Sequence, residues 1–371
     1  MGFDRAFITA AINRSAENAT DRRSLLKAFG LAGAGAVAAS SLGGAGVAAA
    51  QSGEGGGISD PAILNFALNL EYLEAEFYQR AAFGQGLDSS LTGGQGTQGQ
   101  VSGGKQVPFQ SKVVRQYAEE IAKDELEHVR FLRTALGSSA VAEPAIDINE
   151  AFTAAARASG AIGPNEQFDA YANDANFLLA AFIFEDVGVT AYKGAAPLVQ
   201  NKTFLDAAAG ILAVEAYHAA NIRTALYTMG EETPALIEGA NKISAARGQL
   251  DNGKDQGIEV EGKANITPTD ANGIAFGRTP GEVLNIVYLT PGAATKGGFF
   301  PNGVNGELNS AGGAPAGGAD TGGGGTAGDS SATQNALLGT GAGMLAAGVG
   351  AAAYAAHRRS ADDEGTTPQQ Q

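Results

Sequence analysis

Two stretches of this 371-residue sequence decide its fold: residues 125–136 read ELEHVRFLRTAL, and residues 215–226 read EAYHAANIRTAL. Each begins with Glu-x-x-His and ends with Arg-Thr-Ala-Leu. Residues three apart lie on one face of a helix, so each Glu and His can share a metal ion. A single Glu-x-x-His is more often an exposed helical pair, but chance does not account for the shared Arg-Thr-Ala-Leu. The two stretches therefore predict an internal repeat with the spacing of metal ligands.

The spacing of apolar residues predicts four long amphipathic helices between residues 58 and 230. We expect them at residues 59–83, 110–136, 173–199 and 203–229, with Asp60 capping the first. Residues 84–106 are rich in Gly, Gln and Ser and predict a surface loop inserted in the first half. Helices of this length and pattern favour an all-α four-helix bundle.

Acidic residues lie inside the apolar stripes of these helices. Glu71 and Glu185 occupy equivalent positions in the first and third helices, and each is followed seven residues later by a tyrosine, Tyr78 and Tyr192. Six side chains are predicted to face the bundle interior: Glu71, Glu125, His128, Glu185, Glu215 and His218. Four uncompensated buried carboxylates would cost more than a domain's net stability of about 5–15 kcal/mol. Since the stripes contain no Lys or Arg, two divalent cations with the imidazoles as neutral ligands would balance the charge.

Three polar residues close in sequence to the six inward side chains could either take part in the site or not. Glu74 lies off the centre of its stripe, which favours a flanking surface acid over an additional ligand. Tyr72 and Tyr217 are close enough in sequence to donate hydrogen bonds to the ligands, and simple packing is the alternative.

This pattern resembles the ligand set of the ferritin-like di-iron carboxylate bundles, in which two helices give one Glu each and two give Glu-x-x-His. The resemblance covers residues 58–230 and implies that the six inward side chains are metal ligands. It also implies that Glu125 and Glu215 bridge two iron ions, with manganese as the alternative.

The chain is also similar to exported ferritin-like proteins related to plant desiccation-associated proteins. Residues 297–303, GGFFPNG, resemble the aromatic, Gly-rich end of that group. This similarity assigns residues 231–302 to a C-terminal extension. A short helix is expected within residues 270–289, with Thr279 and Pro280 at its start.

Composition excludes several classes of function. The sequence contains no Cys, three His and a formal net charge of −15. The absence of cysteine excludes disulfides, iron–sulfur clusters and thiolate zinc sites. The acidic balance argues against a nucleic-acid partner, because no basic stripe is available to neutralise phosphates.

The two ends of the chain resemble targeting segments. Arg22 and Arg23, followed by an uncharged Ala/Gly-rich run, predict a twin-arginine export signal over residues 1–50, with an ordinary export signal as the alternative. Either signal places the mature protein outside the cytoplasm. Residues 303–335 predict a Gly-rich linker, residues 336–356 a C-terminal transmembrane anchor, and residues 357–371 an acidic tail. A cleaved or soluble C-terminal tail is the alternative to the anchor.

The resemblance implies an oxidoreductase that takes oxygen or peroxide as its small-molecule substrate, acting as a ferroxidase or in peroxide detoxification under stress. The alternative is a non-catalytic, desiccation-related surface protein whose metals only stabilise the bundle. A storage cage is not expected, because the linker, anchor and extension would obstruct shell assembly. The pattern is compatible with an oligomer.

Overall fold

The computed structural model describes residues 57–251 and 253–312. This part of the chain contains seven helices: α1 (Asp60–Phe83), α2 (Lys112–Leu136), α3 (Glu150–Ala158), α4 (Asp174–Ala195), α5 (Lys202–Glu232), α6 (Ala235–Leu250) and α7 (Pro280–Val287). Two small sheets accompany them. Strand β1 (Val101–Gly103) pairs in parallel with β2 (Ile146–Ile148), and β3 (Glu259–Val260) pairs antiparallel with β4 (Lys263–Ala264). The described chain is mostly helical, which agrees with an all-α ferritin-like fold.

Helices α1, α2, α4 and α5 are the four helices that the apolar spacing predicts. Helices α1 and α2 run antiparallel, because Asn65 donates to the Ser139 carbonyl near one end while Gln79 donates to the Ala122 carbonyl near the other. Each long helix begins at a polar cap whose side chain accepts a first-turn N–H; the caps are Ser59, Ser111, Asn173 and Asn201. The cap of α1 is therefore Ser59, and the expectation from sequence that Asp60 caps this helix is wrong.

Asp60 instead joins the two halves of the bundle. Its carboxylate accepts the backbone N–H groups of residues 200 and 201, just before α5, at 2.8 and 2.9 Å. Asp174, at the equivalent start of α4, accepts the N–H groups of residues 110 and 111, just before α2. Each half thus fastens the interhelical connection of the other half. This reciprocal arrangement extends the predicted sequence repeat to tertiary structure.

The bundle core is aromatic at one end. Phe77 packs against Tyr78, Phe152, Phe177 and Phe184, with ring centroids 4.8–5.6 Å apart. By length and composition alone, residues Asp174–Leu198 could span a membrane, but most of this segment is buried inside the bundle. A helix that is apolar on every side is typical of such a core position.

The predicted loop, residues 84–106, is fastened to the bundle at several points. The Leu87 N–H donates to Glu76 of α1 at 2.8 Å, and β1 within the loop pairs with β2. A short 3-10 turn, Ser89–Leu91, lies between these contacts. Most residues of the loop remain exposed, so it covers a surface of α1 and α2.

The C-terminal extension packs on the second half of the bundle. Its last helix begins where the sequence predicts, because Thr279 and Glu282 form a reciprocal capping box with Pro280 in the first turn. Packing continues past the expected linker boundary. The Asn305 side chain donates to the carbonyls of Thr97 and Ala142, so the assignment of residues 303–312 to a free linker is wrong. The predicted export signal, the rest of the linker, the anchor and the acidic tail lie outside the described residues.

Candidate metal centre

The structure brings all six predicted interior side chains together at the middle of the bundle. Helix α1 contributes Glu71, and α2 contributes Glu125 and His128, one helical turn apart. Helix α4 contributes Glu185, while α5 contributes Glu215 and His218. All six are buried.

These side chains form two overlapping groups of four. The first contains Glu71, Glu125, His128 and Glu215, and the second contains Glu125, Glu185, Glu215 and His218. Within each group, ligand atoms lie within 4.8 Å of one another, a spacing at which four side chains can surround one cation. Glu125 and Glu215 belong to both groups.

Glu125 has the orientation of a bridging carboxylate. Its Oε2 lies 3.2 Å from Nδ1 of His128, and its Oε1 lies 3.1 Å from Nδ1 of His218. One oxygen therefore faces each imidazole, as a carboxylate shared between two cations requires.

Several buried polar atoms of the cluster have no hydrogen bond. They include both carboxylate oxygens of Glu185 and both of Glu215. Oε1 of Glu125 and Nδ1 of His218 lie 3.1 Å apart but form no hydrogen bond either. Leaving such groups unpaired costs several kcal/mol each, so a native fold retains them where a ligand satisfies them. Hard oxygen donors with one imidazole nitrogen per group suit iron or manganese. The donor set therefore fits a two-metal centre.

The electrostatics of the cluster follow from burial and crowding. Burial raises the pKa of Glu71 to about 7, and burial together with the charge of Glu125 raises the pKa of Glu215 well above its usual range. Burial alone would lower the pKa of His128, but Glu71 and Glu125 outweigh it and raise that pKa to about 12. Burial would raise the pKa of Glu125, yet His128 and His218 hold it below its usual range. In the metal-free site the imidazoles thus carry protons that metal ions must displace.

Two tyrosines contact the cluster, and they are not the two named from sequence. The Tyr192 hydroxyl donates to Oε1 of Glu71 at 2.5 Å. Tyr78, its equivalent in the repeat, is completely buried, and burial followed by the charge of Glu185 raises its pKa. Tyr72 instead donates to the Val141 carbonyl, and Tyr217 is 71% exposed, so neither donates to a predicted ligand. The seven-residue spacing from Glu to Tyr was the available sequence signal.

Glu74 is a buried member of the site, which makes its assignment as a surface acid wrong. It is 5% exposed, and burial followed by the charges of Glu125 and Glu71 raises its pKa well above the usual range. Its equivalent in the second half of the repeat is Gly188. A Cβ placed on Gly188 would lie 2.3 Å from Oε2 of Glu215 and 3.4 Å from Oε1 of Glu74. Glycine therefore leaves the space that these two carboxylates occupy.

Asp124 is a further residue that the sequence did not single out. Its Oδ2 lies 3.1 Å from Nε2 of His218. A proton on Nε2 donated to Asp124 leaves Nδ1 as the nitrogen facing the carboxylates, and such carboxylate–histidine contacts orient ligating imidazoles. The repeat has Val214 in the equivalent position, so the contact occurs in one half.

A buried ionic network lies between the C-terminal extension and helices α4 and α5. Asp186, next to Glu185, accepts from Arg223 at 2.8 Å and from Arg247 at 2.7 Å. Arg278 of the extension bonds Asp251 at 2.6 Å and also reaches Asp255. These side chains are almost inaccessible to solvent. Buried charges persist only when paired, so this network fastens the extension to the two helices that carry half of the cluster.

Comparison with known proteins agrees with this geometry. The ferritin-like domain model matches residues 59–228. The desiccation-related protein PCC13-62 of Craterostigma plantagineum is 35% identical over 272 residues, covering 68% of this chain and 85% of that protein. The ferritin-like catalase Nec2 of Nesocodon mauritianus is 28% identical over 273 residues, covering 67% of this chain and 85% of that protein. No solved structure gives a significant match. The chain therefore belongs to the ferritin-like superfamily, within the group that is similar to the desiccation-related proteins.

Proposed function

We propose that the six-residue cluster binds two iron or manganese ions and that the protein is an oxidoreductase reacting with oxygen or peroxide. The observation that carries this proposal is the four oxygens of Glu185 and Glu215, which are buried without a hydrogen bond. Cations would compensate these carboxylates, and the shared position of Glu125 and Glu215 in both groups of ligands supports a pair of ions.

Each side chain has a distinct role in this proposal. Glu71 with His128 would hold one ion, and Glu185 with His218 the other, while Glu125 and Glu215 face both. Four carboxylates balance two divalent cations, and the imidazoles bind as neutral donors. Bound iron or manganese supplies the one-electron redox chemistry that reaction with oxygen or peroxide requires. The Tyr192 hydroxyl holds a proton against Glu71 and fixes the orientation of that carboxylate.

The relatives support two functions. The name of the ferritin-like catalase supports peroxide as a substrate. The similarity to a desiccation-related protein favours a second candidate, a stress-protective protein whose metals only stabilise the bundle.

Metal content and oxidant consumption of the purified full chain test both functions. We compare the wild type with the double variant Glu125→Ala/His128→Ala, using Glu127→Ala as the control because that acid lies exposed on the same helix. Two ions per chain, lost in the double variant alone, with oxygen or peroxide consumed by the wild type and the control, support the oxidoreductase. Two ions without consumption, and equal stabilisation by zinc, leave the structural role. No metal after loading with iron and manganese refutes both.

We also propose that the protein is exported by the twin-arginine route and held in the membrane by residues 336–356. This proposal rests on the sequence of the two ends. Replacement of Arg22 and Arg23 by Lys is expected to leave the protein in the cytoplasm, as measured by cell fractionation. Truncation after residue 335 is expected to move it from the membrane fraction to the soluble one, and retention in the membrane would contradict the anchor.

A further inference from the structure

A small apolar cavity lies between α1 and α4, beside the cluster. Its volume is about 20 Å³, and its lining includes Leu64, Ala67, Ala191, Tyr192 and Ala208. Every lining residue is apolar apart from the hydroxyl group of Tyr192. That hydroxyl already donates to Glu71. The cavity therefore ends on a side chain that touches the candidate metal centre.

The lining of this cavity is only partly buried, since Ala67 and Ala195 are half-buried. A separate apolar group, Tyr192, Ala208 and Ile211, packs here with half-buried Ala67. The His128 side chain, at 10% exposed, is the most accessible of the six cluster side chains. Around Tyr78, by contrast, the core is a continuous set of buried aromatic rings. The Tyr192 side of the cluster is therefore the side on which partly buried residues line a cavity.

We infer that this cavity is the passage for dioxygen to or from the cluster. A cavity needs roughly 10–15 Å³ to hold one water, so a space of this size admits a molecule of one or two heavy atoms. Buried water also needs about two to four polar partners, whereas the single hydroxyl here is already engaged. An apolar diatomic molecule loses nothing on entering such a space, while peroxide would forfeit hydrogen bonds.

That dioxygen passes through this cavity to or from the metals rests on the proposed function. That the cavity accepts a small apolar molecule follows from its lining alone. An oxidase consumes dioxygen and a catalase releases it, so both versions of the chemistry need the same passage. Tyr192 joins the cavity to Glu71, and Glu71 belongs to the group that contains His128. The passage therefore assigns the Glu71/His128 half of the cluster as the half that meets dioxygen.

Xenon, an apolar probe, tests the cavity without any metal. Crystals of the full chain pressurised with xenon are expected to hold an atom beside Tyr192, and Ala191→Leu is expected to abolish it. Ala67→Val is the milder second variant, should the larger side chain impair folding. Xenon absent from this cavity in a folded wild type overturns the inference, even if the protein binds metal and is active.

Kinetics of the metal-loaded chain test the passage itself. Filling the cavity is expected to leave metal content unchanged and to slow, about tenfold or more, either oxidation of the reduced protein by oxygen or release of oxygen from peroxide. The first result identifies dioxygen as substrate and the second as product. Ala220→Val is the matched control, since it fills a different cavity of about 110 Å³, between α5 and the extension. Unchanged rates in both filled variants, or equal slowing in the control, overturn the inference.

Discussion

Loading of the cluster with metal is expected to release protons, because several of its ligands hold protons in the metal-free protein. At pH 6, burial keeps Glu71, whose pKa is raised to about 7, protonated in the metal-free protein, and neighbouring carboxylates keep His128 and His218 protonated. Burial raises the pKa of Glu185 and of Glu215 as well. As ligands, the glutamates must be ionised and the imidazoles neutral. Binding of two divalent ions at pH 6 therefore releases about three protons or more.

Calorimetric titration in buffers of different ionisation enthalpy measures this number directly. Proton release is expected to fall by about one between pH 6 and pH 8, because Glu71 has then lost its proton before metal arrives. A titration of Glu127→Gln, an exposed acid of the same helix, should match the wild type. Release of fewer than two protons at pH 6 would refute the assignment of charge within the cluster.

The raised pKa of Glu71 predicts that the stability of the metal-free protein and its affinity for metal change in opposite directions with pH. The pKa of Glu71 rises from 4.5 to about 7 on folding, so protonation of Glu71 favours the folded state. This contribution to the free energy of unfolding is lost as pH rises through 7. A shift of that size corresponds to about 3 kcal/mol between pH 4.5 and 8. Metal affinity instead rises with pH, because fewer protons must be displaced. Urea denaturation at several pH values, with and without metal, checks both signs. Greater metal-free stability at pH 8 than at pH 5 would contradict them.

Three substitutions probe other parts of the site. Gly188→Ala places a Cβ 2.3 Å from Oε2 of Glu215 and is expected to lower metal content, whereas Gly210→Ala, with no atom within 4 Å of its Cβ, should leave it unchanged in metal analysis. Asp124→Asn is expected to weaken binding of the ion held by Glu185 and His218 about 10–100-fold in a competition titration against a chelator. Equal loss of both ions would argue against a local effect. Arg278→Met leaves buried Asp251 without its arginine, while Asp255 keeps Arg247, and should cost about 3–5 kcal/mol in urea denaturation. A cost below about 1 kcal/mol would show that Arg278 does not hold the extension.

The helices and the six cluster residues could be predicted because each depends on local periodicity. A carboxylate in the middle of an apolar stripe must face the core wherever that helix packs, as Glu71 and Glu185 do. Glu-x-x-His keeps both side chains on one face in any helical context, so Glu125 and His128 needed no knowledge of the partner helix.

Residues at the edge of a stripe could not be predicted in the same way. The position of Glu74 around the helix axis, off the centre of the apolar stripe, predicts a surface acid. Its burial depends instead on the space that Gly188 leaves on a neighbouring helix. Tyr72 and Tyr217 were chosen by distance along the chain. The tyrosine that reaches Glu71 comes from 121 residues away. Such contacts depend on how two helices cross.

The sequence alone determined that this protein is a repeated helical bundle with four carboxylates and two imidazoles facing one interior, because 3.6-residue periodicity translates directly into a buried face. The tertiary structure decided how those groups divide into two overlapping sets, which tyrosine and which aspartate orient them, and where an apolar cavity meets them. It also showed that the polar extension pairs its Arg247 with Asp186 and accepts hydrogen bonds from Arg223 through backbone carbonyls, on the side of α4 and α5 away from the cluster. Those features arise from distances between segments far apart in the chain, and only packing sets such distances.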